Sequence, residues 1–349
     1  AVVGMLGLFL LLAFRYPEGL TAAHYPLLLA LGALCGCGIA TFSVGISQVA
    51  YWFPPRYHGR ALGTFAGVGN LAPGLFSFAL PLVLASWGLT RAYLAWLFFL
   101  IVGTVLYAVM GRNAWYFQYR KQGRNPEEAR ALAEQAGQKA FPRGNAMEAL
   151  RLSARTWRTW VLVALYFTTF GGFLALTSWL PTYWNTYFET GLKTAGSLTA
   201  AFSLLASAIR VPGGSWSDRL GGEKTAALAL AALLAGALLM SLTKSLWPAL
   251  GGCLLMGAGM GVNNAAVFKL VPFYVRKAIG GASGWVGGLG AFGGFAIPPL
   301  MALFVEMQGE RGYATGFLVF VGLALICLGL TVLLWKTAPD REEPRVYRA

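Results

Sequence analysis

Gly280-Gly281-Ala282-Ser283-Gly284-Trp285-Val286-Gly287-Gly288-Leu289-Gly290-Ala291 carries no charge and has glycine at 280, 284 and 288. Residues four apart share a helix face, so one stripe of this helix has almost no side chains. In lipid such a stripe lets backbones approach closely, because packing replaces the hydrophobic drive that is absent there. The stretch occurs twice. Shifted by 221 residues, Gly59, Gly63, Gly67 and Gly69 fall on Gly280, Gly284, Gly288 and Gly290, and Ala61 falls on Ala282. The same shift carries Gly36 and Gly38 onto Gly257 and Gly259. The chain reads as two related halves.

Composition sets the solvent. Hydrophobic residues make up 57% of the chain and charged residues 11%, well under the ~25% charged residues of soluble domains. The 45 glycines lie inside apolar runs, which suits close helix packing rather than a disordered chain. This is an all-α integral membrane protein. A span needs about 20 apolar residues, and ten spans are expected, over 1–14, 25–52, 61–86, 92–112, 157–184, 194–217, 224–243, 246–270, 280–305 and 314–335.

Basic residues orient the spans. Of 27 Lys and Arg, 20 fall in the loops 53–60, 112–158, 218–224 and 276–277 and in the tail from Lys336. Only five fall in the loops on the other side. The basic side is expected to be cytoplasmic, with both ends of the protein on it, in an inner membrane. The net charge of +14 is mostly this bias and points to the lipid bilayer as a partner, with no nucleic acid. The expected organisation is the last four helices of a first bundle over 1–112, a cytoplasmic loop over 113–156, a six-helix bundle over 157–336 and a cytoplasmic tail over 337–349. Within the loop, Asn125-Pro126-Glu127-Glu128 supplies an N-cap, a proline at the first helical position and first-turn acids, so a surface helix is expected over about 126–140. The second half has two spans before the segment at 224–243, and their partners under the 221-residue shift fall before Ala1. A natural product with twelve spans, arranged six and six, is therefore expected, two helices longer at its N-terminus.

Two charged residues lie within spans, Arg210 and Lys269. An arginine inside a span costs at least ~2.5 kcal/mol and usually faces a cavity. Its fork donates two parallel hydrogen bonds, which suits a planar oxyanion. The alternative is snorkelling to the headgroups, which applies to Arg210 and also to Lys269 near the basic end. The thirteen acids all fall in loops, at helix ends or in the tail. An interior that is net positive attracts anions and repels cations. Asn70, the polar member of the first glycine stretch, can donate to an anion or to a neighbouring helix; its repeat partner is Ala291. Asn263 and Asn264 are further possible donors beside Lys269. Clustered histidines, cysteines or acids are not visible, so no enzyme, cofactor or metal site is expected.

Gly213-Gly214-Ser215-Trp216-Ser217-Asp218-Arg219-Leu220-Gly221-Gly222 joins two spans on the basic side. Asp218 and Arg219 can pair with each other and with facing helix ends, and so latch one conformation. With the repeat and the central basic loop, this resembles the major facilitator superfamily. The stretches at 59–74 and 280–299, with Ala266-Val267-Phe268-Lys269-Leu270-Val271-Pro272 ahead of the second and Phe53-Pro54 ahead of the first, are similar to the paired glycine signatures of its nitrate/nitrite porter family. The resemblance implies two arginines, one per half, clamping the anion. Arg210 matches the second; the first would lie about eleven positions before Ala1. It also implies glycines beside the anion (Gly67, Gly69, Gly287 and Gly288), the asparagine matched by Asn70, and a stacking aromatic matched by Tyr166, with Phe170 one turn on. Ala291 departs from a second asparagine. The function this implies is secondary transport of nitrate, nitrite or both by alternating access, as a monomer, by exchange or proton-coupled import. The competing expectation is a facilitator for another small or organic anion. The glycine helices, with Gly284, Gly287 and Gly288, are expected to slide past one another as the halves rock.

Overall fold

Lipid leaves a backbone no partner but itself, and the chain answers with helices throughout. The computed structural model describes residues 1–54, 58–139, 141 and 146–338. Arg56, Arg143 and the basic tail beyond 338 lie outside the described residues.

The first half opens with α1 (Val2–Arg15), α2 (Tyr25–Gly36) and α3 (Ala40–Trp52). The expected span over 25–52 is not one helix, because a 3-10 turn over Cys37–Ile39 divides α2 from α3. Gly36 and Gly38 flank this break, and glycine is the weakest ordinary helix former. Their repeat partners Gly257 and Gly259 stay helical because tertiary packing overrides the propensity. A Cβ on Gly257 would meet the ring of Phe202 at 3.0 Å, and one on Gly259 would overlap the carbonyl of Ala229. Next come α4 (His58–Gly69) and α5 (Leu71–Met110). The span expected over 61–86 is shared between α4 and the start of α5, the next span continues in α5, and the turn between them is a single residue, Gly88, at φ 74° and ψ 172°. That positive φ is open to glycine and strained for other residues.

The basic loop carries α6 (Trp115–Lys121), α7 (Pro126–Gln135) and α8 (Ala146–Ala154). α7 starts as expected, with Asn125 Oδ1 accepting from the Glu128 amide at 2.8 Å. It stops earlier than expected, ahead of Gly137 at φ 89°.

The second half begins with α9 (Trp157–Tyr166) and α10 (Gly172–Thr182). They form one span, Trp157–Tyr187, broken by two π-helical turns at Phe167–Gly171 and Tyr183–Tyr187. Then follow α11 (Leu192–Ala208), α12 (Arg210–Leu220), α13 (Gly222–Leu242), α14 (Leu246–Tyr274), α15 (Ile279–Ala291), α16 (Gly293–Gln308), α17 (Gly312–Thr315) and α18 (Leu318–Lys336). Among the described residues eight helical segments are long and apolar enough to cross a membrane, and α1 and α2 are shorter apolar helices.

Most of the buried core belongs to the second half, around Leu162, Tyr166, Phe173, Trp184, Phe202 and Met256. α13 packs along α14 and α18, and α4 and α5 of the first half pack on α12 and α11. At the basic end Tyr274 Oη lies 2.8 Å from Glu223 Oε1 and 3.0 Å from the Leu334 carbonyl. This ties α13, α14 and α18 together. Glu223 is at a helix end, as its sequence position suggests, yet it is 2% exposed.

Candidate functional site

The seam between α4 and α12 is built from glycine. A Cβ on Gly63 would stand 3.1 Å from the Arg210 carbonyl oxygen, and one on Gly67 would stand 3.0 Å from that of Ser207. Small residues there let α4 lie against the start of α12, which is where Arg210 projects. The Ser207 hydroxyl completes the seam by donating to the Asn70 carbonyl at 2.5 Å.

Arg210 is 1% exposed. Its Nε, Nη1 and Nη2 all lack a hydrogen-bond partner among the described residues. Two rings flank the charge, Phe170 with its centroid 5.2 Å from Cζ and Phe173 at 5.7 Å. Ring faces offer negative quadrupole density, a weak counter-charge of about 0.5–2 kcal/mol. They satisfy no N–H. The guanidinium's polar neighbour is the Tyr166 hydroxyl, and a buried guanidinium with no carboxylate beside it is costly unless a charged acceptor arrives.

Tyr166 is fully buried, and its hydroxyl has the Arg210 guanidinium as its polar neighbour. It stacks on Phe170 at 4.8 Å and meets Phe268 edge-on at 4.9 Å. The stack continues through Phe42 (5.6 Å from Phe170) to Phe65 (5.7 Å from Phe42), so aromatic rings of α3 and α4 reach the arginine's own ring. Phe170 sits in the π-helical turn at 167–171. The extra residue of such a turn re-aims side chains, and these turns are frequent at functional sites.

A second polar group faces the same space. Thr169 Oγ1 lies 2.8 Å from Asn264 Oδ1 and accepts from Asn263 Nδ2 at 3.0 Å. Asn264 Nδ2 is left unpartnered, on a residue that lines a cavity of about 310 Å³ together with Arg210. The cavity is also lined by Gly63, Phe268, Lys269, Asp218 and Arg276. It runs from the buried arginine towards the basic end, where Arg276 is exposed.

The residues singled out in the sequence are therefore sorted by position. Arg210, Tyr166, Phe170 and Asn264 are brought together. Asn70 is buried nearby, but its Nδ2 donates to the Ala66 carbonyl at 2.7 Å and the residue is not in the cavity lining. Gly67 is packed on Ser207, while Gly69 is exposed with no atom within 4 Å of a Cβ position. Lys269 is not free to snorkel. Its Nζ donates to the Ser217 carbonyl and pairs with Asp218 Oδ1 at 3.1 Å. Asp218 therefore pairs with Lys269 rather than with Arg219, which is exposed.

The second glycine stretch differs from its first reading most. Gly288 is exposed with nothing within 4 Å of a Cβ, and Gly284 would meet only Leu150 Cδ2 at 3.6 Å. α15 is tight on two opposite sides. A Cβ on Gly290 would come within 2.5 Å of Tyr166 Cδ1, and one on Gly281, half a turn round the helix, would overlap the Ala149 carbonyl of α8. Gly287, one turn before Gly290, is also buried. Just beyond, Gly171 and Gly293 abut with 2.6 Å from a Cβ to Cα. Gly63, Phe173 and Phe268 are site residues that the sequence reading did not select. Gly63 was signalled by the repeat; the two rings were not separable from the other 21 phenylalanines.

The sequence profile of the Major Facilitator Superfamily matches residues 1–196 and 185–349. The chain is 32% identical over 341 residues to a probable nitrate/nitrite antiporter of Thermus thermophilus, covering 89% of this chain and 72% of that one. It is 28% identical to a nitrite extrusion protein of Bacillus subtilis, over 92% of this chain and 74% of that one. It is 30% identical to a probable nitrate/nitrite transporter of Mycobacterium tuberculosis, over 93% and 77%. Among solved structures, the human organic anion transporter MFSD10 superposes with a TM-score of 0.63 at 20% identity, covering 95% of this chain and 76% of that one. The Escherichia coli fucose:proton symporter superposes with a TM-score of 0.56 at 16% identity, covering 95% and 82%. At these identities the two structures speak for the fold.

Proposed function

The chain belongs to the Major Facilitator Superfamily, as one of its nitrate/nitrite transporters, and from that premise we propose that it moves these anions by alternating access with Arg210 as their counter-charge. It is a multi-pass membrane protein. The bias of 20 of 27 basic residues to one side supports an inner-membrane orientation with that side cytoplasmic. The substrate sits between the halves, acts as a monomer's cargo and undergoes no chemistry.

The observation that carries this reading is the buried Arg210, whose guanidinium has no carboxylate partner among the described residues. A trigonal oxyanion presents two coplanar oxygens to such a fork, and the pair forms two parallel charge-assisted hydrogen bonds. Phe170 and Phe173 hold the guanidinium and give it an apolar surround. Low dielectric around them strengthens the ionic contact. Tyr166 Oη and Asn264 Nδ2 are further donors on the same side. Cations meet a positive interior and are repelled. Gly63 and Gly67 permit the halves to close on so small a ligand. Asp218 and Lys269 tie α12 to α14 at the basic end, so the pair fastens two helices of the second half to each other and does not join the halves.

Proteoliposomes of the full-length protein, loaded with nitrite, provide the test. They should take up isotopically labelled external nitrate, with unlabelled nitrate and nitrite competing. Organic anions should not compete. Uptake of an organic anion with none of nitrate would replace this reading by the general anion facilitator.

A further inference from the structure

Asp218 is the one carboxylate in the lining of the Arg210 cavity among the described residues. It lies eight residues along α12 from Arg210, which is about 12 Å of helix. Any anion moving between Arg210 and the basic end must pass it. A bare carboxylate there would repel the substrate at the mouth of the cavity. The carboxylate is not bare: Lys269 Nζ stands 3.1 Å from Oδ1 and is pinned by a second contact to the Ser217 carbonyl. Lys269 comes from α14 and Asp218 from α12, so the neutralisation is built by packing of two helices. Arg276 lines the same mouth, with its guanidinium over the Phe273 ring at 5.6 Å and no carboxylate partner among the described residues. With Asp218 and Lys269 cancelling, Arg210 and Arg276 leave the passage with a charge of +2.

We propose that Lys269 is a selectivity residue of the passage: it masks Asp218 from the travelling anion, so that the carboxylate which fastens α12 to α14 does not close the basic end to a small monovalent oxyanion. The ligand meets a mouth set by Arg276, passes a neutral pair and reaches Arg210. The inference rests on the transport reading and adds a role for a residue that otherwise looks like one half of a structural ion pair. The two roles separate by double substitution. If Lys269 only holds α12 to α14, removing Asp218 as well cannot restore what Lys269→Gln lost. If Lys269 masks a repelling charge, removing that charge restores passage.

The experiment measures nitrate half-saturation from each face, in oriented membrane vesicles containing the full-length protein. Lys269→Gln should raise KM at the basic face by roughly tenfold or more, within the range by which local charge changes anion capture. The rise should shrink at high ionic strength, and KM at the opposite face should stay within about threefold of wild type. Asp218→Asn with Lys269→Gln should bring the basic-face KM back to within about threefold of wild type, and Lys269→Arg should behave as wild type. A double variant no better than Lys269→Gln, or a Lys269→Gln indistinguishable from wild type, overturns the inference. Should Lys269→Gln fail to reach the membrane, Asp218→Asn decides alone: an unchanged or lowered basic-face KM supports masking, and a raised one overturns it. Wild-type vesicles that exchange no nitrate would instead overturn the transport reading.

Discussion

The Arg210 guanidinium lies over the face of Phe170, with Cζ 5.2 Å from the ring centroid, and the ring is the nearer of the two aromatic partners it has. A cation held against a ring keeps its N–H edge free, because the ring takes the flat face and leaves the rim. That geometry separates two tasks. Phe170 holds the charge in place, and the rim remains for an incoming oxyanion.

Arg210→Lys keeps the charge and removes the fork. One point charge replaces a planar pair of donors, and hydrogen bonds to charged groups are worth about 1.5–3 kcal/mol. Nitrate uptake in proteoliposomes should fall roughly ten- to a hundredfold in kcat/KM. Wild-type uptake by this variant would end the bidentate role.

Phe170→Leu keeps volume and apolarity but removes the ring face, a loss of about 0.5–2 kcal/mol for Arg210. Half-saturation for nitrate should rise about two- to thirtyfold. Phe170→Tyr, which retains the face, should stay close to wild type. Equal loss in both variants would show that ring packing against Phe42 and Tyr166, rather than the cation, sets the effect.

Thr169→Val removes the hydroxyl that joins Asn263 to Asn264 and leaves the shape. Asn264 Nδ2 would lose its fixed direction, and the Asn263 amide would lose its acceptor. A net hydrogen bond is worth about 1 kcal/mol, so KM should rise about fivefold while Thr169→Ser restores it. Unchanged KM together with a lowered melting temperature would make the relay a structural element only.

The membrane class, the helical spans and Arg210 were legible in the sequence because each rests on one-dimensional contrast. A charged residue in an apolar run stands out wherever the run folds. The seam at Gly63 and Gly67 was legible because the 221-residue repeat singled it out. What the sequence could not show was which further rings complete the site: Phe173 and Phe268 look like any phenylalanine, and only the fold brings α10, α12 and α14 together. The pairing of Lys269 with Asp218 was hidden for the same reason, since 51 positions and the whole of α13 separate them. Cys37–Ile39 breaks a run that hydropathy shows as continuous, because Gly36 there lacks the packing that holds Gly257 in its helix.

The last prediction concerns the stretch from Gly280 to Ala291. A G-x-x-x-G pattern marks residues four apart, but a helix turns every 3.6 residues, and steps of three serve a packed face as well as steps of four. In α15 the face that packs towards Tyr166 runs through Gly287 and Gly290, not through Gly280, Gly284 and Gly288. Gly290→Ala places a methyl 2.5 Å from Tyr166 Cδ1. Tyr166 is fully buried and stacked on Phe170, so it can yield only by pushing the ring that holds Arg210. Overpacking of this kind costs about 1–3 kcal/mol, and here the displacement is delivered to the substrate site. Nitrate uptake per inserted molecule should fall at least tenfold in Gly290→Ala, while Gly288→Ala, with open space around it, should remain within about twofold of wild type. Equal amounts of both variants in the membrane, measured by immunoblot, make the comparison one of transport. A reversed order, with Gly288→Ala inactive and Gly290→Ala active, would return the function to the 280/284/288 stripe and show that the packed face of α15 is not the one that matters to the anion.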